Sequence, residues 1–387
     1  MNKKELELYI HIPFCVKKCS YCDFLSAPAT EQTREAYMAA LFAEIGGRAK
    51  EYRDRIVTSL FIGGGTPSLL SGEQILQLME RIRGQFVLAE DAEITMEVNP
   101  GTATAQKLRE FYGAGINRLS IGMQSAQAQE LKTLGRIHDF EGFCQVYREA
   151  VAAGFTNINV DVMSGLPGQT LASYKDTLEK VLHLEPMPQH ISAYSLIVEE
   201  GTPFADMTER GQLPLPEEDT ERAMYEETIE VLEKYGFHRY EISNYARPGY
   251  ECRHNVGYWV RRDYLGFGIG AASLIDNVRF QNGRDLTAYL AHPLDCREEE
   301  QSLTTQEQME ETLFLGLRLT KGVSYDAFAR QYGSSLQEVY GEVIAHNMAD
   351  GLLQVTEGEE NGKSRRFLAL TKRGLDLSNY VMAQFLF

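Results

Sequence analysis

The 387-residue chain has no stretch that approaches the roughly 20 apolar residues a membrane-spanning helix needs. Its first residues, MNKKELELYIHIPF, carry two lysines and then a charged, strand-like segment where a signal peptide would have an apolar run. Positive charge is in deficit: 38 Lys and Arg face 55 Asp and Glu, a net charge of −17. The acidic residues are spread along the chain, which argues against broad, unspecific binding of nucleic acid. A disulfide framework is also missing, because such frameworks distribute their cysteines through a small secreted domain. Here three of the six cysteines fall within eight residues, while Cys144, Cys252 and Cys296 stand far apart and read as small buried hydrophobes. These absences predict a soluble cytoplasmic protein. With 43% hydrophobic and 24% charged residues, a substantial core is available to it.

What is present is a regular alternation. Between residues 6 and about 200, short runs rich in Val, Ile, Tyr or Phe end in Gly, Pro, Asn or a polar residue: LELYIHIPF, SLFIGGGTP, EITMEVNP, RLSIGMQS, INVDVMSGLP and HISAYSLIVE. Helix-like segments separate them at residues 31–51, 73–83, 103–113, 140–153 and 171–183, with capping residues near their ends. Six βα units in a row predict an α/β fold with a parallel sheet, open or closed into a partial barrel. Thr66, Glu97, Asn99, Gln124 and Asp161 stand at the C-terminal ends of these strands, where a parallel α/β barrel carries its site. Loops are polar in general, so one such residue would mean little; their recurrence on most strands carries the reading. A proline-containing linker, GQLPLPEEDTE, leads to a helix over residues 222–235 and an aromatic segment ending near residue 291. From about Thr304 the chain reads as three helices and a β pair across GEENGKSRR, a winged-helix-like end. The division expected is thus 1–205, 206–300 and 301–387.

Cys15, Cys19 and Cys22 follow the first strand directly. Three thiolates spaced four and three apart on one loop can wrap an iron–sulfur cubane and bind three of its irons. Soft ligands select iron–sulfur or zinc over hard cations. Zinc stays open at this point, because His11 could complete a Cys3His set, although structural zinc sites usually use tighter Cys-x2-Cys pairs.

A CxxxCxxC loop after a first strand resembles the radical S-adenosylmethionine (SAM) superfamily. Tyr9-Ile-His-Ile-Pro-Phe-Cys15, Gly63-Gly-Gly-Thr-Pro67, the Glu97 strand, Ser120-Ile-Gly-Met-Gln124, Leu134-Gly-Arg136 and Asp161-Val-Met-Ser-Gly-Leu-Pro167 are similar, in order, to the oxygen-independent coproporphyrinogen III oxidase family. The resemblance implies a partial (β/α)6 radical SAM barrel with a C-terminal α+β extension. It implies a [4Fe-4S] cluster on Cys15, Cys19 and Cys22, with SAM chelating the open iron. Gly64, Gly65 and Thr66 would then support the methionyl amino group, Arg136 the carboxylate and Asp161 the ribose hydroxyls. Glu97 and Gln124 occupy matching polar positions, and Tyr9 and Tyr21 match positions that line the cluster and adenine. By local chemistry alone each of these also suits a packing or surface residue.

Two departures separate the chain from the oxidases of that family. Asp23-Phe24 follows Cys22 where the oxidases carry a further cysteine, and only eight residues precede Tyr9. Downstream, His254-Asn-Val-Gly-Tyr258-Trp259 matches the HNxxYW motif of the heme chaperone branch, HemW, and holds the chain's single tryptophan. The resemblance implies that His254 is associated with heme, and neutral imidazole is a good axial ligand. A buried histidine in an aromatic cluster is the alternative for that residue. The expected function is a heme chaperone that passes heme to acceptor proteins, respiratory ones by family, with any membrane association through a partner and no nucleic acid involved. Anaerobic oxidative decarboxylation of coproporphyrinogen III and a zinc-stabilised regulator are the alternatives. No catalytic residue is assigned.

Overall fold

The computed structural model describes residues 3–360 and 362–386. Strand β1 (Lys4–Ile12) shows how the sequence builds the sheet. Successive side chains alternate between faces, so Leu6, Leu8, Ile10 and Ile12 all enter the core, while Glu7, Tyr9 and His11 face the other way. The same period-two pattern runs through β2 (Arg55–Gly64), β3 (Val87–Val98), β4 (Arg118–Gln124), β5 (Ile158–Ser164) and β6 (His190–Ser195). Each pairs in parallel with the next. The apolar register packs under helices α1 (Glu31–Arg48), α2 (Gly72–Gln85), α3 (Ala105–Gly113), α5 (Phe140–Ala153) and α6 (Leu171–Leu182), while α4 (Ala128–Leu134) packs through Leu134 in a separate cluster with Met163, Leu166 and Phe204. Caps expected from the sequence form: Ser71 with Gln74 and Thr170 with Ser173 make reciprocal capping boxes, and Gly154 closes α5 in the left-handed region. The predicted α/β architecture is borne out.

The chain then runs through α7 (Pro203–Glu209) and α8 (Glu218–Lys234), the latter starting four residues earlier than the sequence suggested. Strands β7 (His238–Arg239) and β8 (Asn244–Ala246) follow, and β8 pairs antiparallel with β6. Helix α9 (Arg253–Trp259) carries the HNxxYW segment. Beyond it, β9 (Tyr264–Phe267) pairs in parallel with β1, and β10 (Ala272–Ile275), β11 (Val278–Asn282) and β12 (Arg297–Ser302) continue outward. Residues 238–302 therefore extend both edges of a 12-stranded sheet. A buried carboxylate secures one extension. Glu44 on α1 accepts from Gly268 N (2.9 Å), Asn282 Nδ2 (2.7 Å) and Tyr289 OH (2.7 Å), and pairs with Arg48.

The C-terminal part has its own small core, built on Leu313, Phe328, Tyr340 and Leu368. Three helices lie at 305–316, 325–332 and 336–349. A three-stranded antiparallel sheet completes it, with the long hairpin at 353–360 and 363–370. The helices and β pair expected from the sequence are there; Asn361, within the expected turn, lies outside the described residues, as do Met1, Asn2 and Phe387. Among the described residues no helix is long and apolar enough to cross a membrane.

Candidate functional site

The cysteine loop is fixed at several points along its length. Cys15 N donates to Ala27 O, Ser20 N to Leu134 O, and Phe204 N to Ser20 O. Beneath it Gly65 N donates to Ile12 O at 2.8 Å. A Cβ on Gly65 would meet Phe14 O at 2.7 Å and Ile12 O at 2.9 Å, both backbone atoms, so only glycine allows this approach. Cys15, Cys19 and Cys22 then line one cavity of about 500 Å3 over the C-terminal ends of the strands. Tyr21, Gly64, Gly65, Thr66, Glu97, Gln124, Arg136 and Asp161 line the same cavity. Tyr9 does not; it lines a neighbouring one.

The donor set has a consistent chemistry. Thr66 Oγ1 donates to Cys15 Sγ at 3.3 Å and Arg136 Nη1 approaches Cys19 Sγ at 3.8 Å, contacts that favour thiolates. Burial pushes the Cys22 thiol up, so its ionised form calls for a cationic partner such as iron. Arg136 also donates to Gly122 O at 2.6 Å, while its Nε is buried with no hydrogen-bond partner, a donor in want of an acceptor. Burial, with Asp161 nearby, raises Glu97 to about 7; Gly64 N donates to it at 3.0 Å. Asp161 is likewise raised by burial, and is held by Asn159 Nδ2 at 2.7 Å and by Ser120 Oγ. Two desolvated carboxyls and an under-satisfied guanidinium suit a ligand carrying an ammonium, hydroxyls and a carboxylate. Gln124 has φ +69, a left-handed conformation that non-glycine residues adopt at a cost of about 1–3 kcal/mol, and Tyr194 OH donates to its Oε1 at 2.9 Å.

Among the described residues no three His, Cys, Asp or Glu side chains converge as ligands of a single metal ion. Three thiolates on one loop are the donor set that an iron–sulfur cubane takes. His11, the fourth zinc ligand considered from the sequence, bonds Leu25 O through Nε2 (2.8 Å) and meets Tyr9 OH through Nδ1 (3.0 Å), so both nitrogens are taken.

A second cavity of about 650 Å3 adjoins the first, and Asp23, Phe24, Gly64 and Glu97 line both. Tyr9, Tyr258, Trp259 and Tyr264 supply aromatic wall; Arg261 and Arg279, which share the Glu311 carboxylate (2.9 and 2.6 Å), and Arg284 add guanidinium groups. Helix α9 is seated by Glu93, whose carboxylate accepts from Arg253 N (3.1 Å) and His254 N (3.2 Å). His254 itself lines neither cavity. It is buried and stacked on Phe61, with Nδ1 2.9 Å from Ser59 Oγ and Nε2 3.0 Å from Tyr258 OH. Burial, helped by Arg118 and Arg262, lowers it to about 3, so the imidazole is neutral. In this arrangement it offers no free lone pair to a heme, which departs from the expectation of an accessible axial ligand.

The sequence reading passed over the residues that hold the site residues. Ser120 on β4, Asn159 on β5, and Ser192 and Tyr194 on β6 all line the first cavity. Ser120 shares its register of β4 with Gln124, Asn159 shares its register of β5 with Asp161, and Ser192 and Tyr194 take alternate positions of β6; polar residues at every second position of buried strands were the available signal. The second cavity left no comparable signal, since its walls come from β1, the cysteine loop, α9 and β9–β11.

Comparison with known proteins adds the following. Residues 9–181 match the Radical SAM superfamily, and residues 303–377 match the HemN C-terminal domain. The chain is 36% identical to the heme chaperone HemW of Lactococcus lactis, over 100% of this chain and 98% of that protein. It is 38% identical to the heme chaperone HemW of Bacillus subtilis, over 98% of each. Among solved structures it is similar to Escherichia coli coproporphyrinogen III oxidase (HemN), a radical SAM enzyme, with a TM-score of 0.84 and 27% identity, covering 99% of this chain and 90% of that one.

Proposed function

The chain belongs to the HemW heme chaperone family of radical SAM proteins, and from that premise we propose that it binds heme and transfers it to acceptor proteins. The observation that carries the proposal is the aromatic, arginine-bearing cavity beside the cysteine loop. Its volume lies within the roughly 300–1,000 Å3 of small-molecule sites, and its tyrosine, tryptophan and arginine walls suit a flat apolar ring with carboxylate arms.

The radical SAM family implies a [4Fe-4S] cluster and SAM. In our reading Cys15, Cys19 and Cys22 hold the cluster, and Arg136, through its unpartnered Nε, receives the SAM carboxylate. Glu97 and the Gly64–Gly65–Thr66 turn take the amino group, Asp161 the ribose hydroxyls, and Gln124 and Tyr21 flank the nucleoside. When bound, cluster and SAM together supply one-electron chemistry. The chain's own share is orientation of SAM, with Tyr21 packed beside the cluster. Tyr9 belongs to the wall of the heme cavity. The acceptors we propose are heme-requiring respiratory proteins, met in the cytoplasm or at the membrane through the partner.

A second reading, coproporphyrinogen oxidation, is favoured by the likeness of fold to HemN. Against it stands Phe24, which lines both cavities where the oxidases carry a cysteine. The test is to incubate cluster-loaded protein anaerobically with reductant, SAM and either coproporphyrinogen III or heme plus a heme-free respiratory acceptor. The chaperone reading expects unchanged coproporphyrinogen and heme in the acceptor. Protoporphyrinogen formation would replace it with the oxidase reading.

A further inference from the structure

We propose that Tyr258, with His254 behind it as a positioning residue, is the heme-iron ligand that the HNxxYW segment presents to the aromatic cavity. This rests on the heme reading above and assigns its iron ligand. An axial ligand must offer a lone pair to the cavity, and His254 has none to offer. Its Nδ1 is engaged by Ser59 and its Nε2 by Tyr258, and its ring is stacked on Phe61 below the cavity wall. Turning the imidazole outward would break both bonds, and shifting its backbone would break the Glu93 contacts that seat α9.

Tyr258 lies one helical turn further on, at i+4, and so shares a face of α9 with His254. Unlike His254 it lines the cavity, with its ring edge-on to Tyr264 at 4.7 Å. Phenolate oxygen is an established kind of heme ligand. With Ser59 Oγ accepting from Nδ1–H, His254 Nε2 is the acceptor and Tyr258 O–H the donor at 3.0 Å. When ferric heme enters, an Fe–O bond forms and the phenolic O–H bond breaks. The Fe–OH bond of incoming hydroxide-ligated ferric heme breaks, the phenolic proton leaves with that hydroxide as water, and the iron remains ferric, so no reductant or oxidant is needed; His254 stays neutral and orients the phenol. Trp259, next in sequence and in the same wall, provides apolar area beside the ring, and Arg284 lines the cavity as a counter-charge for a porphyrin carboxylate.

The test is resonance Raman and absorption spectroscopy of full-length protein loaded anaerobically with ferric hemin. Wild type is expected to show iron–phenolate vibrations and the associated charge-transfer band. Tyr258→Phe should lose both and bind hemin about tenfold more weakly or worse. His254→Gln, whose amide oxygen can still accept from the phenol, should keep the phenolate signature, whereas loss of that signature would count against the assignment. An imidazole-type spectrum in wild type that survives in Tyr258→Phe and disappears in His254→Gln would overturn the proposal. The wild-type spectrum alone distinguishes the two, so a poorly folding variant does not stop the test. If wild type shows no hemin binding at all, the heme reading itself falls, a result separable from an imidazole signature.

Discussion

The two adjoining cavities are built on different terms. The first gathers short-range features: a cysteine loop directly after β1, and polar residues in one register of β2 to β6. The second is assembled from β1, the cysteine loop, α9 and the strands beyond it, parts more than 230 residues apart in the chain. One is lined by carboxyls, amides and thiols, the other mainly by aromatic rings and guanidinium groups. On the proposed reading one cavity holds the cofactors and the other the cargo, and the two share a wall of Asp23, Phe24, Gly64 and Glu97.

That division can be broken most severely at the cysteines. Cys19→Ser is expected to reduce iron from about four atoms per reconstituted chain toward none, measured by iron assay, while hemin binding persists. Loss of both would make the cavities one site. Next in size, Arg136→Ala should weaken SAM binding to cluster-loaded protein by about 10–100-fold, the value of a charge-assisted hydrogen bond, as read by equilibrium dialysis. Hemin affinity should not follow.

How much of this contrast could be read from the sequence alone differs between the cavities for a physical reason. Strands alternating with helices leave a local signature, and the cysteine spacing and the residues at the ends of β2 to β5 fall inside it. Edge strands of two to six residues, such as β7 to β12, have too little periodicity to be read, and their pairing with β1 and β6 is a long-range property. The environment of His254 was hidden in the same way. Ser59, Phe61 and Glu93, which bury and fix it, come from strands 161 to 195 residues earlier. A motif can place a histidine in a family, but it cannot say which way the ring faces.

The aromatic side yields smaller effects. Trp259→Ala should weaken hemin binding by about tenfold through lost apolar contact, by absorbance titration, and leave SAM binding intact. Smaller still is a pH effect on stability. Folded His254 stays neutral down to about pH 3, whereas in the unfolded chain a histidine takes up its proton near 6.5. Acidification therefore favours the unfolded state, and this contribution is lost progressively as pH falls below 6.5. His254→Gln should lose less stability than wild type between about pH 6.5 and pH 4, by on the order of 1–3 kcal/mol in urea unfolding. Equal slopes would mean that the imidazole is open to solvent and not sealed behind Tyr258.

The most direct measurement is an anaerobic titration of hemin into full-length, cluster-loaded protein, followed at the Soret band with and without the Trp259→Ala substitution. The account predicts a single saturable site that the substitution weakens while cluster absorbance stays unchanged. Absence of saturable binding, or binding indifferent to Trp259, would contradict it.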